Sequence, residues 1–136
     1  MTANNQKTVQ PGNLSKLPTA PDTLGVIGKS KWKSIGGELI KMKIADRVDL
    51  PFLEELCIAY DRAGNARSVL DEEGYTLTGE KGGSYTHPMF NVLCQAERQI
   101  DTWMQRLGLS RKQRVDLVVK EAEISQKVAA RPRGKK

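Results

Sequence analysis

"GEKGGSYTHPMF", residues 79–90, decides how this chain folds, because it separates the two segments with the clearest apolar periodicity. It holds three glycines and the single histidine, and its proline opens an apolar run. It could be a phosphate-cradling loop, a metal or catalytic site, or a connection between two helices. Around the glycines, Tyr75 and Leu77 on one side and Ser84, Tyr85 and Thr86 on the other supply aromatic and β-branched residues in alternation. That pattern is a hairpin signal. It predicts two short strands within residues 75–87. A two-stranded ribbon is marginal alone in water, so this one must pack on its own helices or on a neighbouring subunit.

On either side the period changes to that of a helix. After the turn, Met89, Leu93, Ala96, Ile100, Trp103 and Leu107 keep a 4-3-4-3-4 spacing, which draws one apolar seam from about Pro88 to Leu107. Before it, Leu53, Leu56, Tyr60, Ala63 and Leu70 follow a 3-4 spacing. Asp49 is the expected N-cap, Pro51 fits a first turn, and Gly74 is a natural stop. Two such helices joined by a short linker predict an antiparallel hairpin about 30 Å long. A weaker helix is expected from about Asp22, through Leu24, Ile27, Trp32, Ile35, Leu39 and Ile40. Gly36 and Gly37 interrupt it, so it is weak alone or packs closely at that point. Ser110 and Gln113 form a capping box for a fourth helix carrying Leu117, Val118 and Ile124. The fold class is therefore mainly α, with a β-hairpin between the long helices, shorter flanking helices and disordered basic tails. The expected division is a disordered or extended N-terminal arm over 1–21, rich in Asn, Gln, Thr and Pro, a helical core and oligomerisation domain over 22–126, and a basic tail over 127–136.

The 136 residues carry a formal charge of +6, unevenly distributed. Lys plus Arg against Asp plus Glu runs 8 to 3 over residues 1–47, 2 to 7 over 48–73, 3 to 3 over 74–107 and 9 to 3 over 108–136. Basic ends around an acidic middle favour a polyanion met by the ends. The two cysteines, Cys57 and Cys94, lie among apolar residues and suggest no disulfide framework. The polar start lacks the apolar stretch of a signal peptide, and no run is long enough to span a bilayer. A soluble intracellular protein is expected.

Three chemistries can be weighed. Gly28-Lys29-Ser30 spells the tail of a P-loop, but Thr23 stands where its first glycine belongs, and no Lys-Ser or Lys-Thr follows the glycines of residues 79–83. His87, Cys94 and Cys57 lack the spacing of a zinc site, and a Cys94–His87 nucleophile lacks an orienting partner. No catalytic set, metal site or cofactor is expected. His87 instead caps a helix start or packs under the ribbon. Nucleic-acid binding is better supported. Lys29, Lys31, Lys33, Lys41, Lys43 and Arg47 line the first helix and its exit, and Arg111, Lys112, Arg114, Arg131, Arg133, Lys135 and Lys136 form a second cluster. Such residues neutralise phosphates with strong salt dependence and little sequence preference.

The ordered parts resemble a family, the small subunits of tailed-phage terminases of the type with a helical hairpin and an inserted β-ribbon. The match runs from Trp32 through "DRVDLPFLEELCIAYDRAGNARSVLDEEGYTL" (46–77) and "THPMFNVLCQAERQIDTWMQRLGLSRKQRVDL" (86–117), about residues 24–118 in all. Its elements are the acidic helix end before Gly74, the His87-Pro88 helix start, and Leu107-Gly108-Leu109-Ser110 before a basic helix. The resemblance implies a non-enzymatic packaging component in the host cytoplasm. Such a component forms a homo-oligomeric ring, binds viral double-stranded DNA, and recruits and regulates the large terminase subunit, an ATPase-nuclease. The seam of the third helix agrees, since Phe90, Trp103 and Met104 widen it beyond what two-helix packing needs. Phe90, Leu93, Ile100, Trp103 and Met104 are thus the expected subunit contacts. The polar N-terminal arm departs from relatives that carry an N-terminal helix-turn-helix. A dimeric DNA-binding transcriptional regulator is the alternative, and it requires a symmetric dimer on a palindromic site.

Overall fold

The computed structural model describes residues 13–130; the tail cations Arg131, Arg133, Lys135 and Lys136 lie outside the described residues. In chain order the elements are α1 (Val26–Lys41), α2 (Asp49–Glu73), β1 (Thr76–Thr78), β2 (Ser84–Thr86), α3 (Met89–Arg106) and α4 (Arg111–Ala130). The chain is mainly helical, with the antiparallel ribbon inserted between its long helices, as the periodicities predict.

α2 and α3 run antiparallel. Phe52 stacks on Trp103 with centroids 5.4 Å apart, Arg67 pairs with Glu97 at 2.7 Å, and Glu73 meets His87 at 2.9 Å. As one partner climbs the sequence, the other descends. The seam of α3 is used as predicted: Leu93 and Ala96 are buried against Ala63, Ala66 and Leu70 of α2, with Met89 and Ile100 packed on them. Alanines at these contacts let the helix axes approach closely. At the far end a larger cluster gathers Leu24, Trp32, Leu39, Leu53, Leu56, Cys57, Leu107 and Leu109, so three stretches of chain meet in one corner. Fully burying each such Leu is worth roughly 1.5–3 kcal/mol.

The ribbon pairs Thr76 with Thr86, Leu77 with Tyr85 and Thr78 with Ser84. The turn closes through Gly79 N–H to the Gly83 carbonyl at 2.6 Å, and Gly82 takes φ +86°, a conformation that favours glycine. His87 fastens the ribbon to α3. Its Nδ1 accepts the Met89 N–H at 3.0 Å, which leaves Nε2–H to donate to Glu73 at 2.9 Å, while its own N–H bonds the Tyr75 carbonyl at 2.9 Å. The imidazole, 7 % exposed, both caps a helix start and packs beneath the ribbon. Tyr75 also sets its ring edge-on to Phe90, 6.1 Å between centroids.

Four local expectations change. The first helix begins at Val26 rather than about Asp22, because residues 21–24 form a turn closed by Leu24 N–H to the Pro21 carbonyl at 3.2 Å. Residues 13–21, read as part of a disordered or extended arm, have no helix but are docked. Asn13 bridges Asp46, Leu14 N–H reaches the Ala45 carbonyl at 2.9 Å, and Leu14, Leu17 and Ala20 pack on the corner core. Leu17 sits where a side chain on Gly36 would be, which is the close packing that the glycine allows. Asp49 stands inside the first turn of α2 rather than at its cap, and its carboxylate accepts the Asp46 N–H at 3.1 Å. α4 continues to Ala130, through the boundary expected at 126–127.

Candidate nucleic-acid interface

The start of α1 is capped from another helix. Gly25, at the N-cap, offers no side chain, so the orphan amides of the first turn find a carboxylate of α2. Asp61 accepts Gly25 N–H through Oδ2 and Gly28 N–H through Oδ1, both at 2.7 Å. The negative carboxylate also complements the positive end of the helix dipole. A Cβ on Gly28 would overlap that carboxylate and lie 3.1 Å from the Cys57 carbonyl oxygen. The Gly28-Lys29-Ser30 stretch is therefore a helix-packing device. Its glycine amide is already occupied.

With α1 pinned in this way, Lys29 and Lys33 stand exposed on one side. They share a groove of about 930 Å³ with Lys16 of the docked arm, floored by Leu17, Ala20 and Trp32. Lys16 is a cation that sequence reasoning missed, because nothing local shows that its segment folds against α1. Trp32 is 4 % exposed and donates Nε1–H to the Pro18 carbonyl at 2.9 Å, so it is a core residue and not a stacking platform. Lys31 is half-buried and its ammonium lies 4.7 Å from the centre of the Tyr60 ring. Its charge is engaged within the chain.

A second groove, about 570 Å³, lies between the end of α1 and the α3–α4 corner. Its floor is Ile35, Met42, Met104 and Leu109, and its rims carry Lys41 and Arg114, with Glu38 as the one acid. Here the two basic segments, far apart in sequence, come together. Ser34 lines both grooves, so the two adjoin along α1. Arg111 and Lys112 are exposed in the first turn of α4, where no acid accompanies them and the helix dipole opposes their charge. Lys43 and Arg47 are exposed but stand outside both grooves. Lys43 adopts φ +60° at the end of α1, in a Schellman arrangement with Lys43 N–H to the Ile40 carbonyl at 3.0 Å and Ile44 N–H to the Leu39 carbonyl at 3.2 Å.

The residues expected at subunit contacts divide in the structure. Leu93 is 5 % exposed inside the core of its own hairpin, because the 4-3 seam faces α2. Ile100, Trp103 and Met104 are half-buried on that core, and Phe90 keeps 37 % of its surface. Candidate chemistry is poorly served elsewhere. Cys57 is fully buried, and its thiol is pushed up to about 12, first by burial and then by the carboxylates of Asp61 and Glu54. Such a group is not a nucleophile near neutrality. Among the described residues no cluster of three His, Cys, Asp or Glu could hold a metal ion, and no helix is long and apolar enough to cross a membrane.

Comparison with known families matches residues 28–123 to the family described as phage terminase, small subunit. Comparisons with curated proteins and with solved structures give no match.

Proposed function

Because the chain belongs to the phage terminase small subunit family, over residues 28–123, we propose that it acts as the non-catalytic DNA-recognition component of a genome-packaging machine. It assembles into a homo-oligomeric ring in the host cytoplasm, binds viral double-stranded DNA, and recruits the large ATPase-nuclease subunit. The observation that carries the DNA reading is the meeting of Lys41 and Arg114 at one groove, next to a second groove that holds Lys16 of the arm with Lys29 and Lys33 of α1. Lys43, Arg47, Arg111 and Lys112 extend the contact. A duplex carries one negative charge per about 1.7 Å of axis, and a row of cations of this kind neutralises several phosphates at once. Phe90, Trp103 and Met104, with the outer part of Ile100, supply subunit contact.

The test is anisotropy of a labelled duplex titrated across a range of salt. Lys41→Ala with Arg114→Ala should weaken binding about tenfold and reduce the slope of log K against log salt by about 2, near 0.9 for each phosphate left unneutralised. An unchanged slope would refute the assignment. Light scattering during size-exclusion chromatography must give a mass of many subunits; a symmetric dimer that prefers one palindromic site would replace the ring with a regulator.

A further inference from the structure

Among the cations that line the two grooves, Lys16 alone is not carried by a helix. It stands in the docked arm, which joins the fold by few contacts. Leu14 N–H bonds the Ala45 carbonyl and Trp32 Nε1–H bonds the Pro18 carbonyl, both at 2.9 Å. Between these two ties, Leu17 fills a notch over Gly36, with both its methyl carbons 2.7 Å from the place a Cβ there would take. Ser15, Lys16, Pro18 and Thr19 are exposed. A segment held by so few bonds opens more readily than the helices beneath it.

The charges oppose its docking. When the arm lies down, Lys16 joins Lys29 and Lys33 in one groove, over a floor of Leu17, Ala20 and Trp32, and no acid lines that groove. None of the three ammonium groups has an ion-pair partner among the described residues. Like charges that share a groove with apolar walls repel more strongly than on an open surface, and the same walls focus their field on an incoming anion. Apolar contacts close the arm against this repulsion. A polyanion laid across the lysines turns the repulsion into attraction.

We propose that the arm is a moving part of the duplex site: backbone phosphates draw Lys16 onto Lys29 and Lys33, so that arm docking and DNA binding form one linked equilibrium. Leu17, Gly36 and Trp32 are positioning residues, since they act through the place they give to Lys16. The linkage is reciprocal. The factor by which the duplex favours the docked arm is the factor by which a docked arm strengthens duplex binding. The inference rests on the DNA reading given above and adds which part of that surface responds to the ligand.

Hydrogen exchange of the Leu14 amide, followed by mass spectrometry on the full chain, reports how often the arm lifts. Anisotropy across a range of salt reports duplex binding. In the natural chain a short duplex should slow Leu14 exchange about tenfold. Lys16 is exposed, so Lys16→Ala keeps the fold and removes the repulsion and the attraction together. Without DNA this variant should exchange about threefold more slowly than the natural chain, and the duplex should add at most about twofold. Its slope of log K against log salt should fall by about 0.9. Gly36→Leu fills the notch from the helix with a neutral residue that favours helix, so α1 stays covered while the arm loses its seat. Leu14 should then exchange at least about tenfold faster, and the duplex should bind about tenfold more weakly in low salt with the same loss of slope. Adding Lys16→Ala to Gly36→Leu should change neither further. The proposal is overturned by Lys16→Ala that exchanges no more slowly without DNA or keeps the natural slope. It is equally overturned by Gly36→Leu that frees the arm yet binds duplex as before. If Lys41→Ala with Arg114→Ala also leaves the slope unchanged, the DNA reading itself fails; if that pair lowers it and the arm variants do not, only the moving arm fails.

Discussion

Asp61→Ala is the substitution that should reveal how α1 is held. The carboxylate accepts two amide hydrogens at 2.7 Å, one from exposed Gly25 and one from buried Gly28. Losing an N-cap acceptor costs about 0.5–2 kcal/mol, and an orphaned buried donor about 1–3 kcal/mol. Gly25 N–H can turn to water and contributes near the low end, whereas Gly28 N–H has no such exit. Together they put the loss at about 2–3 kcal/mol. For a domain of this size that lowers Tm by roughly 6–15 °C. Gly28→Ala probes the same contact from the other side. Alanine gains about 1 kcal/mol of helix propensity, yet its methyl group overlaps the Asp61 carboxylate and presses on the Cys57 carbonyl at 3.1 Å. We expect a net loss of about 1–3 kcal/mol, as for other overpacked sites. The two changes must couple, because removing the carboxylate removes part of the overlap. In the Asp61→Ala background, Gly28→Ala should be less damaging by at least about 0.5 kcal/mol. Urea melts of the four proteins at constant m-value give the cycle. If Asp61→Ala costs under about 0.5 kcal/mol, or if the two losses simply add, the capping account of α1 is wrong.

Lys43→Gly should stabilise the fold by about 0.5–1 kcal/mol, since φ +60° suits glycine and the two capping hydrogen bonds remain. If Lys43 serves the phosphate backbone, the same variant should also lose about one unit of salt slope in the duplex titration; a destabilised variant would refute the strain. The Cys57 thiol, raised from 9.0 to about 12, keeps its proton in the folded chain after the unfolded chain has lost it. Its contribution to stability is therefore full below about pH 9 and is lost as pH rises toward 12. Urea melts between those limits should fall less steeply for Cys57→Ala than for the natural chain, by at most about 1.4 kcal/mol per pH unit. Parallel slopes would mean the thiol is not held protonated.

Elements with a repeating period were legible in the sequence. The 4-3 seam of Met89 to Leu107 fixes α3 within a residue or so, and the Tyr75–Leu77 and Ser84–Thr86 alternation finds the ribbon. What escaped were contacts whose distant partner leaves no mark in the local pattern. The start of α1 is set by a carboxylate 36 residues away from Gly25. The arm is held by Trp32 and Gly36, neither of which marks its neighbours in sequence. The same holds for the cationic site. Its residues were visible as two clusters, but only the corner built by Leu107 and Leu109 brings Arg114 beside Lys41. Lys31 could not be separated from Lys29 and Lys33 by charge alone, because the Tyr60 ring that engages it lies on another helix.

The ribbon has a consequence for solubility. A sheet of two strands has two open edges, and an open edge is a template on which further strands can polymerise. Proteins that gather many copies in one particle hold such edges at high local concentration. Here each strand has only three residues, Thr76–Thr78 and Ser84–Thr86, and the turn ends with a glycine at φ +86° and an exposed Lys81 at the tip. An incoming strand would find few backbone partners before the chain turns away. Side chains such as the exposed Tyr85 remain open to contact, while runaway edge-to-edge growth is starved of hydrogen bonds.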